Sequence, residues 1–565
     1  MSPLQKTSPV LESSLSSTIF DLLNAKAKEH PERPAYCYLN EKGNWTSVSW
    51  QKFISNIQKR TAQFRALGLQ PGDRLAILAP TCPEWEIADK AAMSLGAIVV
   101  GIDPRASKQE IEHILTHAQA AAVVSKTSLS LVPEFLRSKM KFTLVLDETT
   151  VREEGVISRS AATRPCFAVA KFWLRRGEDL AEISRFARND SKVNDPATLL
   201  YTSGTTGLPK GILYSQKQLL EGCFALLKLL PKPRKDERTL CWLPLSGLFQ
   251  RMINLCTFLS GGTVYFIENP QDIMKHLSQI GPSVFVGVPR FYEKLYAGMQ
   301  EKLSTLPFWK RLFLRTLGKR FLRRAIAGPR LKFMITGSAP ISKQILEFFS
   351  SLGILILEAY GVSENTIPIA MNTPSDLKFG SVGKPLPVNS VTLAEDGEIL
   401  VKSPALFSGY YQQDSSDAFT PEGYYKTGDY GAFDSDGFLF LTGRKSEVFK
   451  TSTGRKISPS MIEEFYKEIP FVDQIMVVGA GRQHLAGLIT LKSPLFHQDP
   501  LAQKQIEEEI QKVSLSLPAH QQIHRFAFLP QSFSIQGGEL TPTLKLKRKI
   551  IEEKYQEVIE GLYQN

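Results

Sequence analysis

Short, uninterrupted apolar runs that alternate with longer helical patterns constrain this fold more than any other feature. RLAILAP, AAVVSK, FTLVLDE, TLLYTS, GGTVYFIE, SVFVGVP, LKFMITGS and ILILEAYG read as strands, with amphipathic stretches such as Glu84–Leu95 and Ser107–Ala118 between them. Strands apolar on both faces need cover on both sides, which predicts largely parallel sheets layered with helices. After about Ser390 the texture changes to GEILVKS, GYYKTGDYGAF and GFLFLTGR, short strands joined by Gly/Asp turns, as in a small barrel or antiparallel layer. From Lys445 onward the pattern is mixed: a strand pair, a helix from Ser460, two more strands and terminal helices. The expected class is α/β, with two parallel-type sheets and a small β-barrel-like subdomain in a large N-terminal domain. A small α+β domain follows, and the polar run Gly443–Glu447 marks the boundary. A chain of 565 residues exceeds what one core usually holds.

Composition restricts the function classes. With 43% hydrophobic and 22% charged residues, the chain reads as an ordinary globular protein. The six cysteines, Cys37, Cys82, Cys166, Cys223, Cys241 and Cys256, include no C-x-x-C pair, so reduced thiols of a cytoplasmic protein are expected and not a zinc site. The N-terminus lacks the basic start and apolar core of a secretory signal, and no apolar run approaches the ~18 residues that span a bilayer. The net charge of +12 is uneven: Pro307–Phe333 carries nine Lys or Arg and no acid. That segment reads either as a solvated surface helix or as a basic face for an anionic membrane or acidic partner. No helix-turn-helix, zinc or RNA-recognition pattern accompanies it, so nucleic acid is not an expected partner.

The chemistry concentrates first in LLYTSGTTGLPKGILYS, Leu199–Ser215. Three glycines and four hydroxyls between Tyr201 and Gly211 allow backbone to approach phosphate oxygens, and the Lys210 ammonium can neutralise them. The common nucleotide loop G-x-x-x-x-G-K-[ST] does not fit, because Pro209 precedes the lysine and Gly211 follows it.

This loop resembles the defining motif of the adenylate-forming acyl- and aryl-CoA synthetase family, and seven further blocks follow in that family's order. They are LPLSGLFQR (Leu243–Arg251), GSAPIS (Gly337–Ser342), EAYGVSEN (Glu358–Asn365), GSVGKPLP (Gly380–Pro387), YKTGDYG (Tyr425–Gly431), GRKSEVFKTSTGRKISP (Gly443–Pro459) and GELTPTLKLKRK (Gly538–Lys549). The resemblance covers nearly the whole chain. It implies ATP and Mg²⁺ as requirements and a carboxylate as the group activated. Thr202, Ser203, Gly204, Thr205, Thr206, Gly207 and Lys210 would hold the β- and γ-phosphates, and Glu364, with Thr205, would ligate Mg²⁺. Tyr360 would stack on adenine beside Ser338, Ala339 and Pro340, flanked by Glu358, Gly361 and Ser363. Asp429 would accept hydrogen bonds from the ribose, supported by Arg444. Lys545 would stabilise charge at the carboxylate and α-phosphate. The resemblance further implies residues 1–443 as the adenylation domain, 444–447 as a hinge pivoting at Ser446, and 448–565 as a mobile domain. Lys450 would serve the thiol-transfer pose.

Departures from the family pattern fall at Gly247 and Gln216, where relatives often carry histidines, and at Ser363, where a threonine is usual. Gly247 and Arg251 are the acyl-side candidates. VFVGVPRFYEKLYAGM (Val284–Met299) resembles the long-chain fatty-acid branch, which implies transfer of the acyl group to CoA or to the phosphopantetheine of an acyl carrier protein. A long acyl chain would suit the apolar Phe249–Phe258 stretch, and the basic 310–332 segment would then suit an anionic membrane or an acidic carrier. The competing expectations are adenylation of an aryl or amino acid, and a non-catalytic acyl- or nucleotide-binding relative.

Overall fold

The computed structural model describes residues 16–126, 129–146, 190–202, 209–229, 236–305, 307, 319–497, 499–534, 536–540 and 546–564. Its largest sheet has six strands in the order Phe142–Val145, Ala122–Ser125, Arg74–Leu78, Ile98–Ile102, Pro196–Thr202 and Lys210–Ser215. Five run parallel, as continuous apolar strands demand, and Ile98–Ile102 is buried at every position. The sixth is antiparallel because it returns directly from the fifth. A second sheet pairs Val284–Gly287, Phe333–Thr336 and Ile356–Tyr360 in parallel, then adds Ala370–Met371 and Lys384–Pro385 antiparallel.

A third sheet, unexpected from sequence, joins Trp45–Ser49, Pro34–Leu39, Thr263–Phe266 and Arg238–Cys241. Its strands come from distant parts of the chain, and the first is only half-buried, so no local period announces it. The layer after Ser390 is a four-stranded antiparallel sheet running from Ser390–Leu393 to Leu439–Arg444. The C-terminal segment builds the sheet Val472–Val478, Leu485–Leu491 and Ile523–Leu529, with its own core around Ile475, Ile489, Ile506 and Tyr466.

Helix Leu248–Leu259 packs its apolar face into the main core, where Phe258 meets Trp50 and Phe53 at ring-centroid distances of 5.8 and 5.1 Å. The Phe249–Phe258 stretch therefore supplies core as well as any acyl surface. The loop leading into this helix reaches the large sheet because residue 101 is glycine. A Cβ there would lie 2.8 Å from Ser246 Cα, closer than any real contact.

Between this helix and Pro83–Ser94 lies a buried ionic cluster. Arg251 donates to Asp89 Oδ1 at 2.5 Å and to Thr198 Oγ1 at 2.7 Å, and Lys90 bridges Asp89 and Glu86 at 2.7 Å each. Burial pulls the Lys90 ammonium toward neutrality, but Asp89 and Glu86 outweigh it and hold its pKa above the ordinary value. Two cations and two anions balance, so Asp89→Asn strands a buried positive charge. We expect a loss of about 3–5 kcal/mol, read as a lower urea midpoint, with partial recovery in the Asp89→Leu/Arg251→Met double variant.

Glu358, on the second sheet, is also buried. Its Oε2 accepts from the Gly380 amide at 3.2 Å and from Asn372 Nδ2 at 3.4 Å. Desolvation exceeds the help from the Gly380 amide and pushes its pKa up to about 8. The folded state thus holds a proton that the unfolded chain releases near pH 4.5. Stability from this group is full below that pH and falls as pH rises through about 8. Glu358→Gln should flatten the loss of melting temperature between about pH 5 and pH 8, the window between the unfolded and folded values.

Candidate adenylation site

Thr202 and Lys210 are the last cross-strand pair of the hairpin between the fifth and sixth strands, so the connecting loop leaves from and returns to adjacent strand ends. Ser203, Gly204, Thr205, Thr206 and Gly207 lie outside the described residues. Pro209 is buried, with its carbonyl oxygen 3.1 Å from His113 Nε2. Lys210 is exposed, and its ammonium sits 4.9 Å from the centroid of the Tyr410 ring. Among the described residues it forms no ion pair.

Tyr410 connects that lysine to the proposed metal carboxylate. Its hydroxyl donates to Glu364 Oε1 at 2.9 Å and lies 3.2 Å from the Tyr425 hydroxyl. Burial, then the charge of Glu364, pushes the Tyr410 pKa up to about 12, so the phenol stays a donor. Backbone contacts hold the arrangement. Tyr411 N donates to Gly211 O at 2.8 Å, Tyr410 bridges Ile212, and Phe407 N donates to Glu364 O at 2.9 Å. Glycine at 211 eases the close approach, since a Cβ would stand 3.0 Å from Leu199 and 3.2 Å from Tyr411 and would force one of those side chains to shift. Fully buried Tyr214 donates to the Ser363 carbonyl at 2.7 Å and fixes the turn before Glu364.

A second cluster forms four residues upstream, within ~14 Å of extended chain. The Tyr360 hydroxyl donates to Asp429 Oδ2 at 2.8 Å, and Arg444 Nε reaches Asp429 Oδ1 at 3.2 Å from its cross-strand position. Burial, reinforced by Asp429, raises the Tyr360 pKa well above the ordinary phenol. Ser338, Ala339 and Pro340 form an exposed turn after strand Phe333–Thr336, with Ser338 held at φ 74°. A non-glycine residue in that region is uncommon and marks a turn fixed by its surroundings. Gly361 and Ser363 are exposed on the segment between the clusters, and Glu358 lies beneath it.

The remaining candidates separate by environment. Gly247 caps helix Leu248–Leu259 with ordinary extended backbone, and a Cβ there would meet only Pro244 O at 3.6 Å, so the fold does not require glycine. Arg251, one turn on, is 4% exposed and engaged in the ionic cluster, with Trp85 5.1 Å away. Gln216 is buried and ties elements together, accepting from Ile19 N at 2.9 Å and donating to Met93 O at 3.5 Å.

Ser446 lies between two anchors. Lys445 pairs with Glu398 at 2.7 Å and Asp396 at 3.1 Å on the N-terminal side, while Arg548 reaches Glu447 at 3.8 Å and Glu463 at 2.7 Å on the C-terminal side. Lys450 is exposed, paired with Lys456 in a short hairpin. Lys545 lies outside the described residues, but Leu540 and Leu546 on either side of it form a bridge. Tyr214, Tyr410 and Tyr425 were missed by sequence reading. The GYY run at Gly409–Tyr411 gives no chemical signal until the fold sets it against the sixth strand.

Lys210, half-buried Glu364 and the acceptor-rich Asp429 thus present one cation and two carboxylates on one segmental frame. Among the described residues Glu364 has no Lys or Arg partner, so its charge fits a hard cation carried on phosphate oxygens.

Comparison with known proteins gives the frame its family. The AMP-binding enzyme family matches residues 23–411, and the AMP-binding enzyme C-terminal domain matches residues 447–565. The chain is 32% identical to the long-chain-fatty-acid–CoA ligase FadD15 of Mycobacterium bovis, over 92% of this chain and 93% of that protein. It is 28% identical to the human long-chain-fatty-acid–CoA ligase ACSBG1, over 92% and 82%. The fold superposes on the adenylation domain of a carboxylate reductase from Mycobacterium chelonae with a TM-score of 0.79 at 23% identity, covering 99% and 93% of the two chains. The o-succinylbenzoate CoA synthetase of Bacillus subtilis, solved with its acyl-adenylate, matches with a TM-score of 0.72 at 20% identity, covering 95% and 98%. On these matches and on the motifs that occupy its site, the protein belongs to the AMP-binding enzyme family.

Proposed function

We propose that the protein activates a long-chain fatty acid with ATP and passes the acyl group to a phosphopantetheine thiol, that of CoA first among them. The observation that carries this reading is the placement of Lys210 and Glu364 on one frame with Tyr360, Asp429 and Arg444. The names of the relatives support the acid class. A carboxylate is a poor electrophile because its negative charge repels nucleophiles. Attack of its oxygen on the α-phosphorus of ATP forms a mixed anhydride and releases pyrophosphate. Thiol attack on the acyl carbon then breaks the C–O bond and releases AMP.

This chain's residues divide the work. Lys210 neutralises phosphate oxygens at the loop, with Thr202 through Gly207 supplying donors. Asp429, held between Tyr360 and Arg444, orients the ribose, and the Ser338–Pro340 turn lies on the adenine side. Glu364, with Thr205, would hold Mg²⁺, which would supply charge neutralisation for the leaving pyrophosphate. Lys545 stabilises charge at the α-phosphate and carboxylate. Rotation of residues 448–565 about Ser446, within the 444–447 hinge, removes Lys545 and brings the Lys450 face to the thiol. Two contacts register the present pose, Arg290 with Asp473 at 2.8 Å and Ser342 with Glu468. Gly247 lies at the acyl entrance, while Arg251 supports it from the buried cluster.

An acyl carrier protein as acceptor and contact with an anionic membrane through the basic 310–332 segment are finer parts of the proposal. In that segment Arg330 and Lys332 pair with Asp236 and Glu237, and among its described residues Arg324 is an exposed cation. Among the described residues no helix is long and apolar enough to cross a membrane. Flotation with phosphatidylserine vesicles but not with neutral ones supports the contact, and equal flotation removes it.

The central test is exchange of labelled pyrophosphate into ATP. Long-chain fatty acids should drive it and aryl or amino acids should not; silence from every fatty acid would refute the reading. Lys545→Ala should lower exchange by about 100-fold or more. It should leave thioester formation from supplied acyl-AMP within a few-fold of wild type, read by thiol consumption.

A further inference from the structure

We infer that Tyr410 is a positioning residue that couples the phosphate-loop lysine to the metal-binding carboxylate, so that triphosphate and Mg²⁺ are recognised as one ligand. The inference rests on the adenylation reading above and adds a residue to it. Tyr410 makes two different contacts with two different parts. Its ring face lies 4.9 Å from the Lys210 ammonium, and its hydroxyl donates to Glu364 Oε1 at 2.9 Å. A ring face attracts a cation through its quadrupole, whereas a hydroxyl orients a carboxylate by direct donation.

The geometry keeps the two charges apart. Among the described residues Lys210 and Glu364 form no ion pair with each other or with any other side chain. A flexible lysine beside a carboxylate would otherwise pair with it and cancel both charges before a ligand arrived. The ring gives the ammonium a resting place with no counter-charge. The hydroxyl, with the Tyr425 hydroxyl 3.2 Å from it, engages Oε1 and turns the carboxylate to a fixed orientation. Tyr425 is itself wedged against Phe407 and Phe419, which stiffens the pair. The backbone bridge from Tyr410 to Ile212 moves all of this with the strand that carries Lys210.

The two contacts separate by substitution. Tyr410→Phe keeps the ring under Lys210 and removes the donor to Glu364, whereas Tyr410→Leu removes both. Calorimetric titration of the full-length protein with a non-cleavable α,β-methylene ATP analogue, with and without Mg²⁺, reads them independently of turnover. Wild type should bind more tightly with Mg²⁺ than without. In Tyr410→Phe that gain should shrink by about tenfold, the scale of one hydrogen bond to a charged group, at unchanged metal-free affinity. Tyr410→Leu should weaken both affinities. Tyr425→Phe keeps the aromatic packing and should show a smaller loss of the same Mg²⁺ gain, which provides a second reading if a Tyr410 variant folds poorly.

An unchanged Mg²⁺ gain in Tyr410→Phe, or equal weakening with and without Mg²⁺, overturns the inference and leaves adenylation standing if fatty-acid-dependent exchange persists in wild type. Failure of wild type to bind the analogue overturns both.

Discussion

The antiparallel return of Lys210–Ser215 beside Pro196–Thr202 is the constraint from which the site follows. A parallel sheet cannot reverse direction in a short loop, so this hairpin closes the sheet at that edge. It fixes Lys210 opposite Thr202 and exposes Gly211 and Ile212 to the Gly409–Tyr411 segment. The missing side chain at 211 lets that segment bond to the strand. Tyr410 is thereby set with its ring under the Lys210 ammonium, and its hydroxyl meets Glu364, which the second sheet delivers just after its third strand. Lys210, Glu364 and Asp429, the proposed phosphate, metal and ribose contacts, thus come from three elements whose mutual position is set by backbone pairing.

The molecule uses ionic groups in two contrasting ways. The Arg251–Asp89–Lys90–Glu86 cluster is buried and internally balanced, so it fixes how helix Leu248–Leu259 sits on helix Pro83–Ser94 and has little to offer a ligand. At the candidate site Lys210 and Glu364 are kept apart and partly exposed, both in contact with Tyr410, while Asp429 pairs with Arg444. Near the domain boundary the pattern is different again. Lys445 holds one side of Ser446 and Glu447 the other, which confines any rotation to the short stretch between them. The contacts of Arg290 with Asp473 and of Ser342 with Glu468 are polar, as the proposed rotation of residues 448–565 would require of contacts that break and re-form.

Much of the fold was legible because buried parallel strands announce themselves as unbroken apolar runs. The eight quoted runs all became strands, and the change after Ser390 became an antiparallel sheet. The third sheet was not legible, since its pairings join residues near 40 to residues near 240 and 265, and no local period encodes such contacts. At the site, charged residues in ordered motifs were readable from sequence, and the fold joins Tyr360 to Asp429 by a hydrogen bond and Asp429 to Arg444 by an ion pair. The tyrosines around Glu364 were not readable, because an aromatic beside a glycine looks like core until its hydroxyl finds a partner. Gln216 was read as a departure where relatives often carry a histidine, and its amide joins two backbone segments inside the core. Gly247 was marked as an acyl-side candidate, and the space around it would admit a side chain, so the fold leaves that position open to variation.

Carboxylate adenylation leaves an isotopic signature that no other route to a thioester shares. With fatty acid labelled by ¹⁸O in its carboxylate, ATP and CoA, one labelled oxygen should pass from the acid to the phosphate of AMP. It bonds to phosphorus in the first step and remains there when the thiol cleaves the acyl C–O bond. Mass spectrometry of the released AMP reads the transfer directly. One ¹⁸O per AMP is the predicted result, and thioester formed alongside unlabelled AMP, or alongside ADP and phosphate, would contradict the account.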